Sequence, residues 1–251
     1  MNENVIWISK EILHWDIFPR EGRYTNYESY IRSYKIWEHS QELIINSKNN
    51  FDLTDGISNL KRSINQRLRL IEDIYNFKSI EFPDKPKGYL ELLECFGLVR
   101  PFILKNLISI RNDIEHHDAM PPAKERCKEM VDIVWYFLKS TDEVVKTIKD
   151  YVDFGCRDEN RDYMHFGFSL NLNMKEYNRT AIGGRFPSDL IYNQETKNCV
   201  KINIMAICSD YIWIKANSYR KIRKTDECIQ GEIMLEGNDL YCLLKKIFSE
   251  Y

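Results

Sequence analysis

At 251 residues the chain is long enough for one large domain or two modest ones, each with a buried core. Hydrophobic residues make up 43% and charged residues 29%, which excludes a disordered polymer, and no apolar run approaches the ~20 residues of a membrane helix. A formal net charge of −2 excludes a whole-protein basic field but leaves room for a local basic patch.

The N-terminus, Met1 to Trp7, lacks the basic start and long apolar stretch of a secretory signal. A cytoplasmic protein with no membrane association is expected. The seven cysteines never approach a C-x-x-C spacing and read as reduced, mostly buried thiols. No metal site and no cofactor is expected, since a structural zinc site needs clustered thiolates or imidazoles.

Residues 1–50 are rich in aromatics, with a helix predicted from about Tyr27 to Ser47. From Asp52, a candidate N-cap, Leu53, Ile57, Leu60, Ile64, Leu68, Ile71 and Ile74 recur at steps of three and four, the mark of a long amphipathic helix. Phe82 to Gly88 is a loop by its prolines and glycine. Tyr89 to Phe96 reads as a short helix, followed by one from about Leu98 to His117 on the stripe Ile103, Leu107, Ile110 and Ile114. Pro121-Pro122 ends that element and opens the next. Cys127, Val131, Val134, Leu138, Val145, Ile148 and Val152 then predict another long helix. Together these make a helical bundle spanning Tyr27 to Val152, within a domain assigned to residues 1–154.

Past Gly155 the period changes to two. Met164, Phe166, Phe168 and Leu170 alternate with Tyr163, His165, Gly167 and Ser169, and similar alternation recurs at 199–207 and 210–216. Gly183-Gly184-Arg185-Phe186-Pro187 reads as a turn. Leu240, Leu243, Leu244, Ile247 and Phe248 predict a closing helix. The expected fold class is therefore α+β: a helical bundle followed, over 155–251, by a small antiparallel β-rich domain with a C-terminal helix.

The informative segment runs from Ser109 to Asp118, Ser-Ile-Arg-Asn-Asp-Ile-Glu-His-His-Asp. At about 100° per residue, Asn112 and His116 point away from the predicted apolar stripe, Arg111 lies on a flank of the polar face, and His117 falls beside the stripe. An imidazole can exchange a proton near neutral pH, and a guanidinium can hold a phosphate oxygen and oppose charge building on phosphorus. Taken alone, these residues also fit blander roles. Arg111 can pair with Glu115 at i,i+4, His116 can be a solvated histidine at a helix C-terminus, and His117 can simply be packed. A metal held by His116 and His117 is not expected, as adjacent residues diverge on a helix.

Arg111-Asn112-Asp113-Ile114-Glu115-His116 resembles the HEPN superfamily motif, an arginine and a polar residue followed by a histidine after four to six intervening positions. The context is similar over roughly residues 30–152: a long second helix, a motif late in the penultimate helix, a proline-containing turn, then a long final helix. The resemblance implies a metal-independent endoribonuclease of toxin or antiphage-defence type, with Arg111, Asn112 and His116 as catalytic residues. It implies RNA as substrate, a homodimer that brings two motifs into one cleft, and an antitoxin or trigger protein as a possible partner. Where HepT-like toxins have a tyrosine two residues after the histidine, this chain has Asp118, which points to another branch. The alternative is a catalytically silent module for dimerisation or binding, with a β domain that takes a ligand or a protein.

Tyr219-Arg220-Lys221-Ile222-Arg223-Lys224 places four cations beside an aromatic. Arg220, Lys221, Arg223 and Lys224 are candidate RNA-backbone contacts, against the plainer reading of a solvated loop.

Overall fold

The structure, a computed structural model, describes residues 5–19, 22–117, 119–157, 164–207 and 226–249. The chain divides into two compact units, one comprising Arg23–Ser79 and Asp84–Ile148, the other Met1–Gly22, Ile80–Pro83 and Lys149–Tyr251. No described helix is long and apolar enough to cross a membrane.

In the first unit Asn26 caps helix α1 (Tyr27–Ile45) by accepting from the Ser29 N–H at 3.3 Å. Helix α2 (Asn50–Tyr75) begins one turn earlier than Asp52, because Asn49 is the cap and accepts from the Asp52 N–H at 3.1 Å. Asp52 instead reaches back to accept from the Lys48 N–H, just ahead of the cap, at 2.7 Å. Asn76 ends α2 in the left-handed region, at φ 47°. Helices α3 (Tyr89–Cys95), α4 (Pro101–His117), α5 (Lys124–Ser140) and α6 (Asp142–Lys146) follow. Ile57, Leu60, Ile64 and Ile71 of α2 are fully buried, and α2 packs against α1, α4 and α5. Each such side chain contributes roughly 1.5–3 kcal/mol by leaving water.

The long final helix expected through Val152 is a correction. It stops at Thr141, whose buried hydroxyl donates to the Phe137 and Leu138 carbonyls. After α6 the chain turns extended, and β4 (Thr147–Ile148) pairs antiparallel with β3 (Arg23–Tyr24). Val145, Ile148 and Val152 satisfy steps of three and four, but from Tyr151 onward burial alternates with period two.

The second unit is built on an antiparallel sheet. Its strands are β1 (Val5–Ser9), β2 (Asp16–Pro19), β5 (Tyr151–Arg157), β6 (Met164–Asn171), β7 (Thr180–Pro187), β8 (Ile191–Tyr192), β9 (Cys199–Ile207) and β10 (Asp226–Met234). Among the described residues they lie in the order β2-β5-β6-β7-β10-β9-β1-β8. The N-terminal residues thus belong with the sheet, in contrast to their expected place in the helical domain: Ile6 and Ile8 pair with Ile202 and Val200 of β9. Alternation at 164–171 and 199–207 is strand as expected, whereas 210–216 lies outside the described residues.

Gly183 and Gly184 form part of β7 and not a turn. Gly184 is in register with Phe168, and a Cβ there would collide with the Phe168 Cα and Cβ. The space admits an aromatic stack: Phe168 lies 4.7 Å from Phe154 and 5.6 Å from Phe186, centroid to centroid. Helix α7 (Gly237–Ser249) covers this face with Leu240, Leu243, Leu244, Ile247 and Phe248, and Lys246 donates to the Trp15 carbonyl.

Candidate functional site

Helix α4 opens on a proline, whose missing N–H costs nothing in the first turn. Its inward line is Leu104 and Leu107, both buried, while Ile110 and Ile114 are only half-buried. Leu104, Leu107 and Arg111 stand at i, i+3 and i+7, so Arg111 continues the inward line and does not lie on a flank of the outer face. It is half-buried. Asn112, expected to point away from the core, is also half-buried. Its side-chain oxygen accepts from Lys61 Nζ of α2 at 3.3 Å and from Arg111 Nη1 at 3.4 Å. The structure therefore turns Arg111 and Asn112 toward α2. His116 and His117 occupy the last turn of α4, and His116 is one helical turn beyond Asn112. Their side chains, with that of Glu115 and all of Asp118, lie outside the described residues.

Arg111 opens into a cleft of about 350 Å³ within the helical unit. Arg32 and Ile36 of α1, Ser58, Lys61, Arg62, Asn65, Gln66 and Arg69 of α2, and Arg111 of α4 form its walls. Five cations meet there, and no carboxylate is among the described lining residues. Ser58, Arg62, Asn65 and Arg69 repeat at steps of four, three and four, and at about 100° per residue they form one face of α2. That face is centred roughly 140° around the helix from the buried stripe of Ile57, Leu60, Ile64 and Ile71. Arg32, Arg62 and Arg69 are exposed, and no ion pair to a described residue holds them. Their positive field is therefore available to a ligand.

The apolar stripe that predicts α2 does not point to these cations. The signal was present: Gly56 to Ile71 holds Lys61, Arg62, Arg67 and Arg69 and no acid. Arg67 has a different task from its neighbours. Fully buried, it donates from Nη1 to Asp142 at 3.1 Å and from Nε to the Ser33 hydroxyl at 3.3 Å. Its guanidinium lies 5.3 and 5.4 Å from the Tyr30 and Tyr34 ring centroids. The tyrosine hydroxyls donate to the other Asp142 oxygen, at 3.2 and 2.9 Å. Burial, then the hydrogen bond to Asp142 and its charge, pushes the Tyr34 hydroxyl well above the usual phenol range.

The second basic cluster read from the sequence, Arg220, Lys221, Arg223 and Lys224, lies outside the described residues. Among the described residues, no three His, Cys, Asp or Glu side chains are grouped to hold a metal ion. No family model, curated protein or solved structure matches the chain.

Proposed function

We propose that the helical unit is a HEPN-like, metal-independent endoribonuclease, cutting RNA by attack of the substrate's own 2′-hydroxyl. The observation that carries this reading is the place of Arg111: a motif arginine in a cleft with four further cations and no described carboxylate. Such a lining suits a polyanion and repels a divalent cation.

In this mechanism His116 takes the proton of the 2′-hydroxyl as that oxygen bonds to phosphorus. The phosphorus–O5′ bond breaks, and O5′ receives a proton from the partner subunit's His116. Arg111 opposes the charge that accumulates on the non-bridging oxygens. Asn112, steadied by Lys61, positions the phosphate. Two imidazoles are needed for the two proton transfers, so the working form is a homodimer with an isologous interface at the motif.

The same resemblance supports a role as a toxin or antiphage-defence effector, restrained or triggered by a second protein. Such an effector acts in the cytoplasm, where its RNA substrate is found.

The test is incubation of the purified chain with single-stranded RNA in EDTA, reading the termini. The expected products carry 2′,3′-cyclic phosphate and 5′-hydroxyl ends, DNA stays intact, and His116→Ala abolishes cutting. Cleavage that requires Mg²⁺ and leaves 5′-phosphates would overturn the mechanism. No cleavage of any RNA, together with harmless expression, would leave the silent binding module.

A further inference from the structure

Of the nine residues lining the cleft, only Ile36 is apolar and none is aromatic. Pockets for small molecules show the reverse composition, mostly apolar and aromatic walls with a few polar groups that set orientation. Proteins that grip bases of a single strand do so by stacking them on aromatic rings. This lining offers no such platform. What it offers is five cations interleaved with Ser58, Asn65 and Gln66, donors suited to phosphate oxygens.

The spacing is equally informative. Arg62 and Arg69 stand seven residues apart on one face of α2, about 10.5 Å along the axis, with Asn65 between them. Charges along one stacked strand recur every ~3.4 Å of axis, so this span faces about three phosphates. Arg32 of α1 and Arg111 of α4 add cations from the neighbouring helices.

We infer that the cleft is a phosphate track, holding about three consecutive phosphates of a single RNA strand through Arg32, Lys61, Arg62 and Arg69 without reading its bases. The identity of the strand as RNA rests on the ribonuclease reading; the track itself does not. The track leads to Arg111, and so feeds the backbone to the motif in any sequence context. Specificity for a given RNA then has to come from elsewhere in the protein or from its trigger.

The experiment uses the full chain carrying His116→Ala, so that bound RNA survives, and fluorescence anisotropy of oligo(U) and oligo(A) of equal length. With about three phosphates neutralised, log affinity should fall with log salt at a slope near −2, about 20-fold weaker binding at 200 mM than at 50 mM salt. Adding Arg62→Ala and Arg69→Ala should make the slope shallower by about 1.4 and weaken binding at 50 mM by roughly 10- to 100-fold. Both arginines are exposed, so an unchanged thermal midpoint is expected and checks the fold. Oligo(U) and oligo(A) should bind within a few-fold of each other, and inorganic polyphosphate should compete.

Unchanged affinity and salt slope in the double arginine variant would overturn the track, even if the unsubstituted protein cuts RNA. A large preference for one base, or displacement by ATP as effective as by RNA, would overturn it too, the latter pointing to a nucleotide pocket. Arginine-dependent binding by a chain that leaves all RNA intact would uphold the track while removing the ribonuclease reading.

Discussion

Replacing Asp142 by alanine tests the buried Arg67–Asp142 pair of the helical unit. The carboxylate accepts from Arg67, Tyr34 and Tyr30 at 3.1, 2.9 and 3.2 Å. Lys139 and Lys146 stand farther off, at 3.9 and 3.8 Å, and each is about half exposed. Those two outer pairs are worth less than about 1 kcal/mol each. Arg67 is different, because its side chain is 0% exposed and cannot recover its hydration. Leaving a buried charge without its partner costs about 3–5 kcal/mol, and the two stranded tyrosine hydroxyls keep the value in the upper part of that range. At 1.4 kcal/mol per factor of ten, even the lower bound is a loss of more than about 100-fold in the folding constant. Urea unfolding of the full chain measures the shift, and hydrogen exchange on α1 and α2 peptides assigns it to the helical unit. The double variant Arg67→Met with Asp142→Asn should recover most of the loss, since it removes the charge and keeps an acceptor for the tyrosines. A cost below about 1 kcal/mol for Asp142→Ala, the range of a solvated surface pair, would refute the reasoning.

The same carboxylate makes stability depend on alkaline pH. The Tyr34 hydroxyl is raised in the folded state, so its contribution is complete below the ordinary phenol value of about 10 and is lost as pH climbs above it. Unfolding midpoints should fall from about pH 10 upward more steeply in the parent chain than in Tyr34→Phe, and parallel profiles would contradict this. In the other unit, Gly184→Ala should destabilise the sheet by several kcal/mol, because the added methyl meets backbone and Cβ atoms of Phe168 and not a flexible side-chain tip. Gly183→Ala is the control, since the nearest atom to its Cβ is Gln230 Cγ at 3.6 Å, and it should change the thermal midpoint little.

Much of the architecture was legible because burial leaves a period. The stripe from Leu53 to Ile71 gave α2, and the alternation from 199 to 207 gave β9, with bounds close to those observed. What escaped had a physical reason in each case. Val145, Ile148 and Val152 keep helical steps of three and four although they fall in α6, β4 and β5, and only the stop at Thr141 and the pairing of β5 break that reading. Gly183-Gly184 looked like a turn because glycine's commonest use is conformational, whereas here its use is the missing Cβ beside Phe168. Residues 5–9 are too few to declare a period, and their strand is specified by partners nearly two hundred residues away. The motif around Arg111 was visible by spacing, but its facing was not. A stripe drawn through Ile110 and Ile114 put Arg111 on a flank, while the buried line through Leu104 and Leu107 carries it into the cleft.

Helix α2 shows how one basic segment serves two ends. An apolar stripe by itself tolerates rotation of a helix, because hydrophobic contact has no direction. Three polar contacts to α1 remove that freedom. Ser40 donates its hydroxyl to the Gly56 carbonyl at 2.5 Å, Ser63 to the Ser33 carbonyl at 2.8 Å, and Arg67 reaches the Ser33 hydroxyl on its way to Asp142. A turn of one residue, about 100°, would break all three and carry Arg67 out of its pocket. With Arg67 held inward, Arg62, Asn65 and Arg69 are held outward toward Arg32, and the cationic face cannot drift away from Arg111. The buried arginine thus sets the direction of the exposed ones. In this way the interior of the helical unit fixes the electrostatics of the surface on which the proposed chemistry depends.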